Sequence, residues 1–167
     1  MCAAALLHDA AGPGSGNYRL EHHHASAAFA RQVLATEGWP EERIRAVEHC
    51  IRAHRFRHQS EPPQTLEAKI IFDADKLDSI GAVGAVRAIS YSVHARQLMY
   101  GNLSEQFVKT GEKELGEPHT PYHEFGFKLT KLKDRMYTPT ARGMAKDRHH
   151  FLEAFFARLQ AELEGEC

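Results

Sequence analysis

A histidine followed directly by an aspartate, His8-Asp9, stands where the pattern marks a helix end, beside the apolar Leu6 and Leu7. An ionised carboxylate is costly to bury alone among such neighbours, and a divalent cation would satisfy it. The dipeptide by itself is more often a solvated helix end, since His-Asp also occurs by chance. A second group changes its weight. The run Phe72-Asp73-Ala74-Asp75-Lys76-Leu77-Asp78-Ser79-Ile80-Gly81-Ala82 sets three carboxylates inside an apolar stretch. Ile71, Asp75, Asp78 and Ala82 follow helical spacings, which predicts Asp75 and Asp78 on one helix face. Two carboxylates on a half-apolar face repel each other unless a cation lies near them. The alternative is that Asp73 and Asp78 are solvated while Lys76 or an arginine neutralises Asp75. Oxygen ligands with imidazole suit Mn, Mg, Fe or Zn and do not choose among them. The same stretch carries two cations able to meet a phosphate: Arg87 through its bidentate fork and Lys76 as a point charge. Solvent exposure or a structural ion pair is the other reading of Arg87.

These residues need elements to hold them, and the pattern supplies helices nearly throughout. Ala3 to Leu7 reads as a helix tail before the breaker Gly12-Pro13-Gly14-Ser15-Gly16. So short a helix is a poor nucleus, which points to a natural polypeptide beginning further upstream. Ser26 is placed to cap a helix from Ala27 to about Glu37, stopped by Gly38. On that reading His22, His23 and His24 form a loop cluster. Pro40 suits the start of the next helix, whose stripe is Ile44, Val47, Ile51 and His54. A loop follows, in which Arg55-Phe56-Arg57-His58 is read as either a small phosphate-binding loop or a solvated one. Thr65 is a cap, and one long helix is expected from Leu66 to the mid-nineties. Its Gly81 and Gly84 each cost up to about 1 kcal/mol relative to Ala, so close approach of another backbone is the expected reason. A short helix near Glu105, an amphipathic helix marked by Phe125, Leu129, Leu132 and Met136, and a final helix from Thr138-Pro139 complete the chain. No alternating β pattern occurs, so the fold class is all-α.

The 167 residues make one domain's worth of chain. With 21 Lys plus Arg against 22 Asp plus Glu, the formal net charge of −1 exerts no global pull on nucleic acid or acidic membranes. Cys2, Cys50 and Cys167 form no CxxC pair and read as reduced thiols of a cytoplasmic protein. No apolar run approaches the roughly 18 to 20 residues a membrane span needs. Histidine, at twelve residues, is the outlier, which directs the search for chemistry to its clusters.

With His8-Asp9, then Ile51-Arg52-Ala53-His54, then Ala74-Asp75-Lys76-Leu77-Asp78, the chain resembles the HD-domain superfamily of metal-dependent phosphohydrolases. The likeness is closest to a bacterial branch with a similar helix over 67–84 and a similar C-terminal segment, His123-Glu124-Phe125-Gly126-Phe127-Lys128-Leu129. It covers nearly the whole chain. The resemblance implies one divalent ion held by His8, Asp9 and Asp75, and hydrolysis of phosphate esters or anhydrides, nucleotides among them. It gives His54 a place in the site and sets Lys128 with His123 in the family's C-terminal pattern. The family's metal site also begins with a histidine upstream of His-Asp, and this chain has nothing before Met1. The expectation is therefore a truncated N-terminal helix or a degenerate member, with His22, His23 or His24 as substitutes for the ligand.

The reading as a whole is a single compact helical domain over 1–167, of about six helices. A metal-activated water would attack a small phosphorylated substrate, a nucleotide by preference. Asp9 and Asp78 serve catalysis, Asp78 by positioning that water or taking its proton. Lys76, Arg87, His54, His24 and Lys128 lie on the substrate side. A homodimer is allowed for, without nucleic-acid or membrane partners. The alternative is a degenerate module that binds a nucleotide or other small ligand without catalysis, and metal content discriminates the two.

Overall fold

The computed structural model describes residues 1–11, 18–55 and 61–166, and among them the regular structure is helical with no strand. The breaker at 12–16, Phe56-Arg57-His58 and Cys167 lie outside the described residues. The fold class is all-α, as the periodicity predicts. The chain divides into two compact units, Met1–Asp75 and Lys76–Cys167.

The first unit is built on α1 (Cys2–Leu7), α2 (Tyr18–Thr36), α3 (Glu41–Ala53) and most of α4 (Leu66–Leu77). Helix α2 starts well before the expected residue. Ser26 is an interior, fully buried position rather than a cap, and the three consecutive histidines are helical, not a loop. The reason lies in the stripe His23, Ser26, Ala27, Ala30 and Leu34, which is buried at helical spacing and extends the apolar face backward through polar residue types. Ala4, Ala27, Ala30, Ala53 and Ala68 bring α1 to α4 close around Ile44, Val47, Ile51 and Ile71. Arg31 on α2 clasps Glu48 and Glu41 at the α3 side, through bonds of 2.7 to 3.1 Å. Gly38, at φ 70°, turns the chain out of α2 so that Pro40 can precede α3. Thr65 caps α4 by accepting from the Ala68 N–H at 3.2 Å.

The expected long helix from Leu66 to the mid-nineties is two helices, α4 and α5 (Gly81–His94). Asp78-Ser79-Ile80 break it, and the glycines explain the break. Gly81 has φ +76°, and a Cβ there would stand 3.0 Å from the Arg148 stem. At Gly84 a Cβ would fall 2.3 Å from the Ser79 carbonyl oxygen. The close backbone approach expected for the pair is thus real at Gly84, and the backbone concerned is the chain's own turn. Arg148 donates to the Leu77 carbonyl at 2.6 Å, closing the end of α4.

In the second unit α5 packs on the long α9 (Pro139–Glu164), capped by Thr138. Between them run α6 (Glu105–Thr110) and α7 (Pro121–Glu124), then a π-helical turn over Phe125–Leu129, α8 (Thr130–Leu132) and a 3-10 turn. The stripe Leu129, Leu132 and Met136 is buried as expected, but over this broken path and not along one amphipathic helix. Phe125 stacks on Phe156 at 4.5 Å, and the Tyr122 hydroxyl donates to the Phe156 carbonyl. Glu117 gathers four donors: Ser104 N–H at 2.9 Å, Ser104 Oγ at 2.6 Å, Glu114 N–H at 2.7 Å and His123 Nε2 at 2.9 Å. His123 is fully buried and accepts at Nδ1 from Thr120 N–H, so its ring is a strut of this network.

Candidate metal centre

Three helices of the first unit converge on Asp9. Helix α1 ends at His8, whose Nδ1 donates to the Ala5 carbonyl at 2.8 Å. This leaves Nε2 facing the next residue, 3.7 Å from Asp9 Oδ2. At the end of α3, His54 repeats the device: Nδ1 is tied to the Ile51 carbonyl three residues back, and Nε2 lies 3.5 Å from Asp9 Oδ1. From α2, His22 brings its Nε2 to 3.5 Å from the same oxygen. One turn further along α2, Ser26 accepts from the Ala11 N–H at 3.2 Å. That bond fixes the turn after α1 against α2 and sets Asp9 beside His22.

The result is a carboxylate and two imidazoles, Asp9, His22 and His54, whose ligand atoms all lie within 4.8 Å of one another. The hydrogen bond from His54 and the charges of His8, His54 and His22 outweigh burial and hold the Asp9 carboxyl down at about 2. It is therefore ionised at neutral pH. His54 is buried, while Asp9 keeps a solvent-facing side chain, so the group opens outward. His54 has one nitrogen spent on backbone and the other turned to the common point, the orientation metal-bound histidines adopt. Oxygen with two nitrogens suits a divalent ion of the Mn, Fe or Zn kind. The donor set fits.

Behind this group stands His23, buried, its ring 5.6 Å from His22 and 4.1 Å from His24. Burial first, then the positive charges of His24 and Arg55, push its pKa down to about 4. The Arg55 guanidinium donates to its Nδ1 at 3.3 Å. Beyond the end of α3 the returning chain is pinned to it. Glu61 binds His49 Nδ1 and Arg52 Nε at 2.6 Å each, and His49 Nε2 accepts from Gln64 N–H.

The other residues singled out by sequence are distributed as follows. Asp75 is half-buried in the last turn of α4, outside the 4.8 Å group. His24 is exposed on α2. Lys76 is buried. Asp78 lies past the end of α4, so its expected helix face with Asp75 does not form, and it pairs with Arg87. Lys128 pairs with Glu124 at 2.9 Å. Sequence reasoning placed His54 in the site but on the substrate side, and undervalued His22. The signal for His22 was the backward continuation of the α2 stripe, which makes the histidine run helical.

The HD-domain family model matches residues 2–80. The chain is 33% identical over 131 residues to the uncharacterized protein YpgQ of Bacillus subtilis, a match spanning 77% of this chain and 57% of that protein. Crystal structures carry the likeness into the fold. YpgQ of Bacillus subtilis matches at a TM-score of 0.71 with 31% identity, over 98% of this chain and 75% of that one. YpgQ in complex with ADP matches at 0.64 with 30% identity, over 84% and 66% of the two chains. An HD-superfamily hydrolase from Bacillus thuringiensis matches at 0.65 with 28% identity, over 97% and 72%. The share of YpgQ matched in sequence is below two thirds, so likeness of the chain stops short of likeness of the whole protein. His-Asp at the end of α1, a second and third helix each presenting a histidine to it, and an all-α match at these levels agree: the chain belongs to the HD-domain superfamily.

Proposed function

We propose that the chain is a metal-dependent phosphohydrolase acting on a small phosphorylated substrate, a nucleotide in the first instance. The observation that carries this reading is the convergence of Asp9, His22 and His54 within 4.8 Å in an HD-superfamily chain. Asp9 Oδ1 with the Nε2 atoms of His22 and His54 would hold the ion, and His8 steadies the other carboxylate oxygen. Asp75 completes the set on the strength of the family resemblance. A bound divalent ion supplies an acidified water and a polarised phosphoryl oxygen. The chain's own contribution is preorganisation: the ring of His54 and that of the supporting His8 locked by backbone carbonyls, an ionised carboxylate, and an outward-facing opening through which substrate arrives. The nucleotide preference is supported by the ADP complex of the related YpgQ. Lys76, Asp78, Arg87 and Lys128 belong to the second unit and His24 points to solvent, so the reading assigns them no step. The test is bound-metal analysis together with Mn-dependent release of phosphate or pyrophosphate from a nucleotide panel. A chain that holds about one ion and hydrolyses none of them would be a binding module instead.

A further inference from the structure

We propose that the second unit carries a binding surface for single-stranded nucleic acid, where the turns over 130–135 meet the first half of α9. The surface lies wholly in that unit, whereas the metal centre belongs to the first. Near-neutral charge over the whole chain conceals an uneven distribution. Residues 129–150 hold six Lys and Arg against two Asp and no Glu, while the remainder holds 15 against 20. The fold gathers that excess. Lys131 stands on α8, and Lys133 and Arg135 on the 3-10 turn that packs beside α9. Arg142 and Lys146, one turn apart on α9, add two exposed cations on one helix face. Arg142 ties the two parts together, its Nε donating to the Met136 carbonyl at 3.0 Å.

The carboxylates of this stretch are Asp134, 3.5 Å from the Lys133 ammonium, and Asp147. Helix α5, packed on α9, adds Arg87 and no carboxylate. A local excess of cations attracts a polyanion whatever the net charge of the chain. The class of polyanion follows from what surrounds the cations. The apolar residues of the same stretch, Leu129, Leu132, Met136, Ala141 and Ala145, are buried, so no continuous apolar face remains to enter a bilayer. Two exposed rings, Phe127 and Tyr137, border the cations instead, and the Lys131 ammonium lies 4.8 Å from the Phe127 ring centre. Cations along a backbone of phosphates, interleaved with rings on which bases stack, bind single strands without regard to sequence. A duplex keeps its bases stacked on one another and offers nothing to those rings.

The test is fluorescence anisotropy of a labelled oligothymidylate of about 16 nucleotides, the upper end of single-strand site sizes, with the full chain in EDTA. Binding is expected at about 50 mM salt, with a logarithmic salt slope near −3, from about four phosphate contacts at about −0.7 each. Lys131→Glu combined with Lys146→Glu should weaken binding about tenfold or more between about 50 and 200 mM salt. Lys109→Glu combined with Arg158→Glu changes the net charge equally at exposed positions outside the surface and should leave binding near wild type. Phe127→Ala should weaken binding about fivefold or more, the worth of one stacked base. No binding at low salt, a slope near zero, or equal losses in the two double variants would overturn the surface. Unchanged binding in Phe127→Ala, or polyglutamate competing as well as unlabelled oligonucleotide, would overturn its assignment to nucleic acid. Sedimentation with phosphatidylserine vesicles, without an oligonucleotide shift, would overturn it in favour of a membrane.

Discussion

Replacing Asp9 by Asn removes the one charge against which His8, His22 and His54 are arranged. Outer groups around a metal already cost about 10- to 100-fold in affinity when lost, so Asp9→Asn is expected to exceed that range. His22→Ala should fall in the same class, which separates a helical ligand from a solvated loop histidine; equilibrium dialysis against Mn decides it. Asp75→Ala tests the carboxylate that the family resemblance adds, with metal loss as the expected outcome and unaltered metal content as its refutation. At this scale the sequence was legible where residue type alone speaks. His8-Asp9 is a short signal, and His54 lies on a clear apolar stripe. His22 was hidden because its helix is buried through Ser, Ala and His, residues whose hydropathy does not announce a core face.

Glycines decide the element scale, and three of them predict opposite signs. Gly84→Ala drives a methyl into the Ser79 carbonyl, a backbone atom with little room to retreat, and is expected to cost about 3 kcal/mol or more. Gly81→Ala meets the flexible Arg148 stem and a left-handed φ, at about 1–2 kcal/mol. Gly143 sits inside α9 with nothing within 4 Å of its Cβ position, so Gly143→Ala should stabilise by about 0.5–1 kcal/mol. Urea unfolding midpoints check all three. The same region shows what helical periodicity leaves out. Apolar positions continue at helical spacing from Ile71 through Val86, so the pattern runs straight across Asp78-Ser79-Ile80-Gly81. The break is written in turn chemistry instead, an Asp-Ser pair followed by a glycine. Likewise the Leu129, Leu132 and Met136 stripe foretold burial correctly but not the π and 3-10 turns that deliver it.

For the molecule as a whole, acid stability has an identifiable source. Glu117 is held at about 2 against an ordinary 4.5, first by the Ser104 hydroxyl and then by its backbone donors and His123, which outweigh burial. A carboxyl whose folded pKa is depressed contributes stability that is fully present above 4.5 and is lost as pH falls toward 2. Glu117→Gln should therefore flatten the acid limb of the unfolding curve between those pH values; an unchanged limb would refute it. The all-α class and the family were legible in the chain, since both rest on long periodic segments and a few spaced residues. Its division into two compact units was not, because it follows from contacts rather than from any linker composition. No described helix is long and apolar enough to cross a membrane. One last consequence concerns what holds α1. It carries His8 and leads directly into Asp9, and it rests on α2 and α3 through the buried Ala4. On the metal-binding reading proposed above, an ion at Asp9 would add to that packing: at about 100 Kd the linkage is worth about 2.7 kcal/mol, so chelation is expected to lower the first unit's melting point by on the order of 10 °C. Amide exchange over residues 2–8 should then accelerate in EDTA before that of α3 does, and exchange indifferent to EDTA would refute the coupling.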